Sequence, residues 1–329
     1  MVGFTIGTGP FRELAERAAE TFRQTTGLPC VVIGDDEYKG SGLRYPHHLK
    51  YHMFDLVDSE TVFYFDADLW WMREWNYRSM LEASDGKLIA VRDLLKSRHI
   101  LKDALGFEID VSVYFNSGFM VLHRDTHECM LKAAKGIYAR EILSPMYLSN
   151  SKFKDQTSLN IAMQLLELPV HFIDRRYNWV QSAGDWIEKG LPVIGAHKIV
   201  RDTPGSSIIN DFNTFLDKPS PDVKYEVIES AFEELSGAYR YSREGLEGQD
   251  IHLLPDGTIP DAGTLEQWWF PVIEQGVHKI LVTGHTKLCW KEYFTFEVSR
   301  IEAGKWSGRW NHFEKMPVEL NRLEGIEHG

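Results

Sequence analysis

Asp66 and Asp68 stand one residue apart at the end of an apolar run, Val62-Phe63-Tyr64-Phe65-Asp66-Ala67-Asp68. Two carboxylates spaced this way, where a buried strand meets solvent, can share one divalent cation. Hard oxygen ligands suit magnesium or manganese, ions that bridge readily to a diphosphate. The plainer reading is a pair of acids in a turn. The strand before them favours the cation, because two carboxylates beside a core repel unless a cation or basic group neutralises them. His197, in Gly195-Ala196-His197-Lys198, is a second candidate ligand, since imidazole is acceptable to manganese. Taken alone, any one of 13 histidines is more often structural. Lys198 and Arg201 either neutralise phosphate oxygens or are simply solvated.

These residues need elements that carry them to one place. Phe4-Thr5-Ile6 reads as a strand ending in Gly7-Thr8-Gly9-Pro10, followed by a helix with Leu14, Ala18, Ala19 and Phe22 on one face and Gly27 as its stop. Pro29 to Ile33 is a second strand, Thr61 to Phe65 a third, and Leu88 to Val91 a fourth. Phe115 to His123 carries a further strand after an expected turn at Asn116-Ser117-Gly118. Asp155 to Leu166 has helical spacing, Val170 to Ile173 returns to strand, and Pro192-Val193-Ile194 is a short strand before His197. Alternating strands and helices argue for a parallel sheet with crossover helices, whose ligands bind beyond the carboxyl ends of the strands.

The composition changes at Asp217 to Asp222, which reads as a linker, and a helix is expected over Val223 to Leu235. From Gly237 on, apolar-aromatic runs such as Lys279-Ile280-Leu281-Val282 and Tyr293-Phe294-Thr295-Phe296 alternate with turn residues, the pattern of a small antiparallel β unit. The expected division is 1–220 for an α/β domain and 221–329 for a short helix and a β-rich accessory domain.

Among 329 residues, 43% are hydrophobic and 26% charged, the balance of a globular protein with a sizeable core. A formal net charge of −12 disfavours nucleic acid as the main partner, which asks for a basic footprint. Cys30, Cys129 and Cys289 are odd in number and widely spaced, so buried free thiols are expected rather than disulfides. No signal peptide and no apolar run of membrane-spanning length is seen, and a cytoplasmic location is expected.

The order of motifs resembles glycosyltransferase family 8, the group that includes glycogenin and bacterial lipopolysaccharide galactosyl- and glucosyltransferases. The resemblance runs over about residues 1–205 through Thr5-Ile6-Gly7-Thr8-Gly9, Lys50, Phe65-Asp66-Ala67-Asp68, Val91-Arg92-Asp93 and Phe115-Asn116-Ser117-Gly118. It continues through Lys154-Asp155-Gln156-Thr157-Ser158-Leu159-Asn160, Arg176-Tyr177-Asn178-Trp179 and Gly195-Ala196-His197. It implies a GT-A-like nucleotide-diphospho-sugar transferase domain with a mostly parallel central sheet, bound Mn2+ or Mg2+, and a nucleotide sugar, UDP-sugar favoured, as donor. It implies transfer of a hexose, with retention, to an acceptor that is a glycan, a protein or a small molecule. By the same resemblance Thr8 and Gly9 border the base and ribose. Asp66 faces ribose and metal, while Asp68 and His197 hold the metal. Lys50 lies near the donor phosphates or sugar, with Lys198 a further phosphate candidate. Asp93, Asn116, Asp155 and Gln156 hydrogen-bond the donor sugar, Asp155 or Gln156 nearest the reacting carbon. Asn178 supports that wall or meets the acceptor. The chain departs from the family in Ile199-Val200-Arg201-Asp202, where Lys-Pro-Trp is usual, and in Thr157, where an acid is frequent.

Other signals have bland readings. Trp70, Trp71 and Trp75 are expected in core or lid before sugar stacking, and His47, His48 and His52 are structural or phosphate-adjacent. The C-terminal Trp268, Trp269, Trp290, Trp306 and Trp310 supply a β-domain core before a carbohydrate-binding face. Two other functions compete with the transferase: a non-catalytic protein that binds a sugar or nucleotide sugar, and an Asp-x-Asp phosphohydrolase. The phosphohydrolase pattern wants Thr or Val two residues after the second Asp, where Trp70 stands, and an N-terminal location.

Overall fold

The computed structural model describes residues 1–41, 45–93, 109–143, 154–181, 190–198, 223–260, 262, 266–284, 294–311 and 316–323. The chain divides into two compact units, Met1–Val180 with Ile194–Thr214, and Gln181–Val193 with Phe215–Gly329.

The first unit is built on a six-stranded sheet in the order β2-β1-β3-β6-β5-β7, with β1 Val2–Ile6, β2 Cys30–Ile33, β3 Thr61–Phe65, β5 Leu88–Arg92, β6 Phe115–His123 and β7 Val170–Ile173. β1 pairs in parallel with β2 and β3, and β5 in parallel with β7. β6 runs antiparallel to both β3 and β5, so it is the one reversed strand. The sheet is therefore mostly parallel, as expected. The helix Arg12–Thr26 buries Leu14, Ala18, Ala19 and Phe22, and Gly27 ends it in the left-handed conformation at φ 71°. Phe22 stacks on Phe65 with ring centroids 5.1 Å apart, and Trp71 packs edge-on against Phe22, Phe65 and Phe119. Trp70, Trp71 and Trp75 are all buried, so they are core, and the sugar-stacking alternative gains no exposed ring from them.

Two features differ from expectation in ways that matter for the site. The tripeptide Leu69–Trp71 is a strand, β4, in a small three-stranded sheet with β9 Gly195–Lys198 and β8 Trp179–Gln181. His197 thus lies within a strand and does not follow one at Pro192–Ile194. The residues Asn116-Ser117-Gly118 do not form a turn before the strand. They lie inside β6, where the register against β5 jumps from Ala90↔Met120 to Val91↔Asn116. A bulge of this kind re-aims side chains, and such bulges concentrate beside active sites.

Asn160, in the helix Lys154–Leu165, holds that bulged strand to the helix. Its Oδ1 accepts from Phe115 N–H at 2.8 Å, and its Nδ2 donates to Phe115 O and Gln156 O, each at 2.9 Å.

In the second unit, β10 Glu226–Val227 precedes the helix Glu229–Leu235, so the expected helix from Val223 begins later. Ile228 N–H donates to Pro271 O, and Val227 pairs with Val272, which draws these residues into the sheet edge. The remaining strands are β11 Gly237–Arg243, β12 Leu246–Leu253, β13 Trp268–Glu274, β14 Val277–Thr283, β15 Phe296–Glu302, β16 Lys305–Trp310 and β17 Pro317–Arg322. They form an eight-stranded antiparallel sheet with β10, in the order β10-β13-β14-β15-β16-β17-β11-β12. Trp268, Trp269, Trp306 and Trp310 are buried, the packing role expected of them. Trp290 and the expected linker lie outside the described residues. Cys30 is half-buried and Cys129 exposed, so the expectation of buried thiols fails for Cys129.

Replacing Asn160 by alanine strands the N–H and C=O of Phe115 in the core. Asn160→Ala is expected to cost about 2–4 kcal/mol, read as a lower midpoint in urea unfolding followed by tryptophan fluorescence. An unchanged midpoint would show that the clasp is not needed.

Candidate metal and sugar-nucleotide site

Asp66 follows β3 directly, and its N–H donates to Gly118 O at 2.9 Å. Leu69 N–H donates to Asp66 O at 3.0 Å, closing the turn that carries Asp68. β4 then pairs antiparallel with β9 in a register that sets Leu69 opposite His197. His197 therefore arrives one residue from Asp68 by backbone pairing. Its Nε2 lies 3.2 Å from Asp68 Oδ1 and 3.8 Å from Asp66 Oδ2, and one ligand atom from each of the three residues fits within 4.8 Å of the others.

β9 can lie where it does because Gly195 has no side chain: a Cβ there would stand 2.1 Å from Tyr177 O. The 3-10 turn Arg175–Asn178 packs against that point, with Ile194 N–H donating to Arg176 O at 2.9 Å. Gly118 is needed for the same kind of reason. A Cβ there would come 2.6 Å from His197 Cε1 and 2.9 Å from Asn116 Oδ1.

Lys50 is the buried cation of the site. It sits in the 3-10 helix Pro46–His52 and is 1% exposed. Its Nζ donates to Asp155 Oδ2 at 2.6 Å and to Ser117 Oγ at 3.5 Å, stands 3.8 Å from Asp66 Oδ1, and lies 4.7 Å over the Tyr64 ring. The Tyr64 hydroxyl donates to Asp66 Oδ1 at 2.5 Å. Burial works against the Asp155 carboxylate, but Lys50 outweighs it and holds that carboxyl down at about 2. Burial also weighs against the charged lysine, yet Asp155 and Asp66 raise Lys50 above its ordinary value. For Asp66 burial wins, with Asp68 adding to it, so its carboxyl lies above the usual range despite Lys50 and His197. Burial would lower His197, but the charge and hydrogen bond of Asp68 raise it.

Gln156 is buried and fixed at both ends. Ser117 N–H donates to its Oε1 at 3.1 Å, which leaves its amide nitrogen to donate to Asp93 Oδ2 at 2.7 Å. Asp93 N–H donates to Tyr114 O at 2.9 Å. Asn178 Oδ1 faces His197 Nδ1 at 2.8 Å, and Asn178 Nδ2 donates to Asn116 Oδ1 at 2.8 Å. The fold thus joins Lys50, Asp66, Asp68, Asp155 and His197 in one group, with Asn116 and Asn178 behind the histidine and Asp93 with Gln156 alongside. Thr8 and Gly9 follow β1, and the parallel register of β1 with β3 puts them at the same carboxyl edge. Gly9 N–H donates to both oxygens of Asp35, at 3.0 and 3.2 Å, a partner the sequence reading missed. Its signal was an acid two residues after β2, at the same sheet edge. Lys198 belongs to β9, and its side chain lies outside the described residues, as does Arg201. His47 and His52 serve local packing, His47 Nε2 meeting Tyr138 Oη at 3.3 Å and His52 Nδ1 meeting Asp55 at 3.0 Å.

The donor set fits a hard divalent cation. Two carboxylates and one imidazole converge, and mutual repulsion and burial penalise the ionised Asp66 unless positive charge enters.

Lys50→Met leaves the half-buried carboxylates of Asp155 and Asp66 without their cation and is expected to cost about 3 kcal/mol at neutral pH. The depressed Asp155 contributes stability above its unfolded value of about 3.9, of order 2 kcal/mol, and loses it as pH falls through about 2. The gap in urea midpoint between wild type and Lys50→Met is therefore expected to be widest near neutrality and to narrow from about pH 4 toward pH 2. A gap independent of pH would contradict the pairing.

No family model matches the chain, and no curated protein matches it. Solved structures align with part of it. The galactosyltransferase LgtC, in complex with donor and acceptor sugar analogues, is 13% identical over 62% of this chain and 89% of that one, with a TM-score of 0.43. The apo-form glycosyltransferase GlyE of Streptococcus pneumoniae TIGR4 is 15% identical over 62% of this chain and 56% of that one, with a TM-score of 0.42. Mouse xyloside xylosyltransferase 1, apo form, is 15% identical over 62% of this chain and 99% of that one, with a TM-score of 0.41. All three are glycosyltransferases by name, and the fold of the present chain rests on its own strand order and pairing.

Proposed function

We propose that the chain is a metal-dependent glycosyltransferase that moves a hexose from a nucleotide sugar, UDP-sugar favoured, to an acceptor hydroxyl with retention. The observation that carries this reading is the convergence of Asp66, Asp68 and His197 at the carboxyl edge of a mostly parallel sheet, with Lys50 and Asp155 beside them. Asp66, Asp68 and His197 would hold Mn2+ or Mg2+, which supplies positive charge against the departing diphosphate.

The remaining roles belong to the chain's own groups. Thr8 and Gly9 border the nucleoside at the end of β1. Lys50 adds fixed positive charge near the phosphates and the sugar. Asp93, Asn116, Asp155 and Gln156 orient the sugar hydroxyls, with Gln156 held rigid by its two hydrogen bonds. Asp155 is ionised but tied to Lys50 at 2.6 Å, which weakens it as a covalent nucleophile. That pairing supports same-face attack. The bond from the anomeric carbon to the diphosphate oxygen breaks, the bond to the acceptor oxygen forms, and the acceptor's proton passes to the departing phosphate oxygen.

A thermal-shift panel of nucleotide sugars, with and without Mn2+, is expected to show stabilisation only with both present. Slow donor hydrolysis without acceptor should accompany it, and Asp68→Asn should lower that hydrolysis by about 100-fold or more. Binding without hydrolysis would favour a non-catalytic sugar-nucleotide-binding protein. No shift with any nucleotide sugar in the presence of Mn2+ would sink the reading.

A further inference from the structure

We propose that Asn116 and Asn178 are positioning residues for His197, forming a hydrogen-bonded relay that starts at one backbone amide and fixes which ring nitrogen is offered to the cation. The proposal rests on the reading of Asp66, Asp68 and His197 as a cation site and adds what sets the chemistry of its third ligand.

The polarity of the relay follows from its first bond. Gly118 N–H can only donate, so the Asn116 atom 2.8 Å away must be the amide oxygen. The same oxygen meets the Asn178 amide at 2.8 Å, and an oxygen there would repel it, so that atom is the Asn178 nitrogen. The Asn178 oxygen is then the atom that faces His197 Nδ1 at 2.8 Å. It can only accept, so Nδ1 carries the proton. In a neutral imidazole the other nitrogen then bears the lone pair, and Nε2 is the one facing Asp68 and Asp66.

Flipping Asn116 sets donor against donor at both of its bonds, and flipping Asn178 sets acceptor against acceptor at Asn116 Oδ1. Asn178 and His197 are 1% and 6% exposed, so water competes poorly for these bonds. The relay spans three separate elements: the β6 bulge, the turn Arg175–Asn178 and strand β9. Without it, a metal-free ring gains by placing its proton on Nε2, toward Asp68. The relay therefore works against the local electrostatic preference and in favour of the cation. It also commits Asn116 Oδ1, leaving only the amide nitrogen of Asn116 for the sugar contact proposed above.

The test uses the full chain labelled with 15N-histidine, metal-free at about pH 9, above the histidine range. The His197 signals are identified by their absence in His197→Gln. Wild type is expected to show a protonated Nδ1, and so is Asn178→Asp, which loses the bond to Asn116 but keeps an acceptor on Nδ1. Asn178→Leu is expected to move the proton to Nε2 and to weaken Mn2+ binding about 10–100-fold, measured by calorimetry on protein whose melting remains cooperative. If Asn178→Leu does not fold, Asn116→Leu breaks the relay one bond upstream and is expected to act in the same direction. A wild-type ring protonated on Nε2, or a folded Asn178→Leu with wild-type tautomer and Mn2+ affinity, overturns the proposal. If wild type shows Nδ1–H but binds no Mn2+, the relay stands and the cation reading fails.

Discussion

The antiparallel pairing of β4 with β9 is the constraint on which the site depends. Only three residue pairs make that ladder, yet the Leu69↔His197 register delivers an imidazole from late in the first unit to the acidic turn after β3. Slipping a strand by one residue turns every side chain to the opposite face. The ladder is braced on both sides. Trp71 N–H donates to Thr21 Oγ1 at 3.2 Å, and Met72 N–H donates to Ile194 O at 2.8 Å. The bracing couples the Asp68–His197 geometry to the packing of the helix Arg12–Thr26.

Charge is the second organising feature. Asp66, Asp68 and Asp155 would be intolerable together beside a core without compensation, and the chain supplies it unevenly. Lys50 Nζ lies 2.6 Å from Asp155 and 3.8 Å from Asp66, so its charge falls mainly on Asp155. A chain selected only for stability would more simply have replaced one of these acids by an apolar residue.

Much of this was legible in the sequence, for identifiable reasons. β3 and its acidic end could be read because five consecutive buried residues are bounded by Glu60 on one side and Asp66 on the other. The helix Arg12–Thr26 could be read from its apolar face and its terminal glycine. β4 could not, because three residues carry no period and two of them are tryptophans, whose bulk suggests core without saying helix or strand. Asn116-Ser117-Gly118 carries turn chemistry, but its glycine serves close approach to His197, a requirement set by residues far along the chain. The pairing of Lys50 with Asp155 has no local signature either. Nothing in the spacing of those residues records that the 3-10 helix and the later helix face one bulged strand.

The stacked pair Trp71 and Trp75, 5.0 Å apart and 16° from parallel, has a spectroscopic consequence. Two indoles so close exchange excitation, and a buried, fixed pair gives an aromatic circular-dichroism contribution that a mobile pair averages away. Trp71 belongs to the short strand that pairs with the strand of His197, so loosening of that strand changes the signal. The protein thus carries an intrinsic optical signal from the strand that positions its histidine beside its acidic pair.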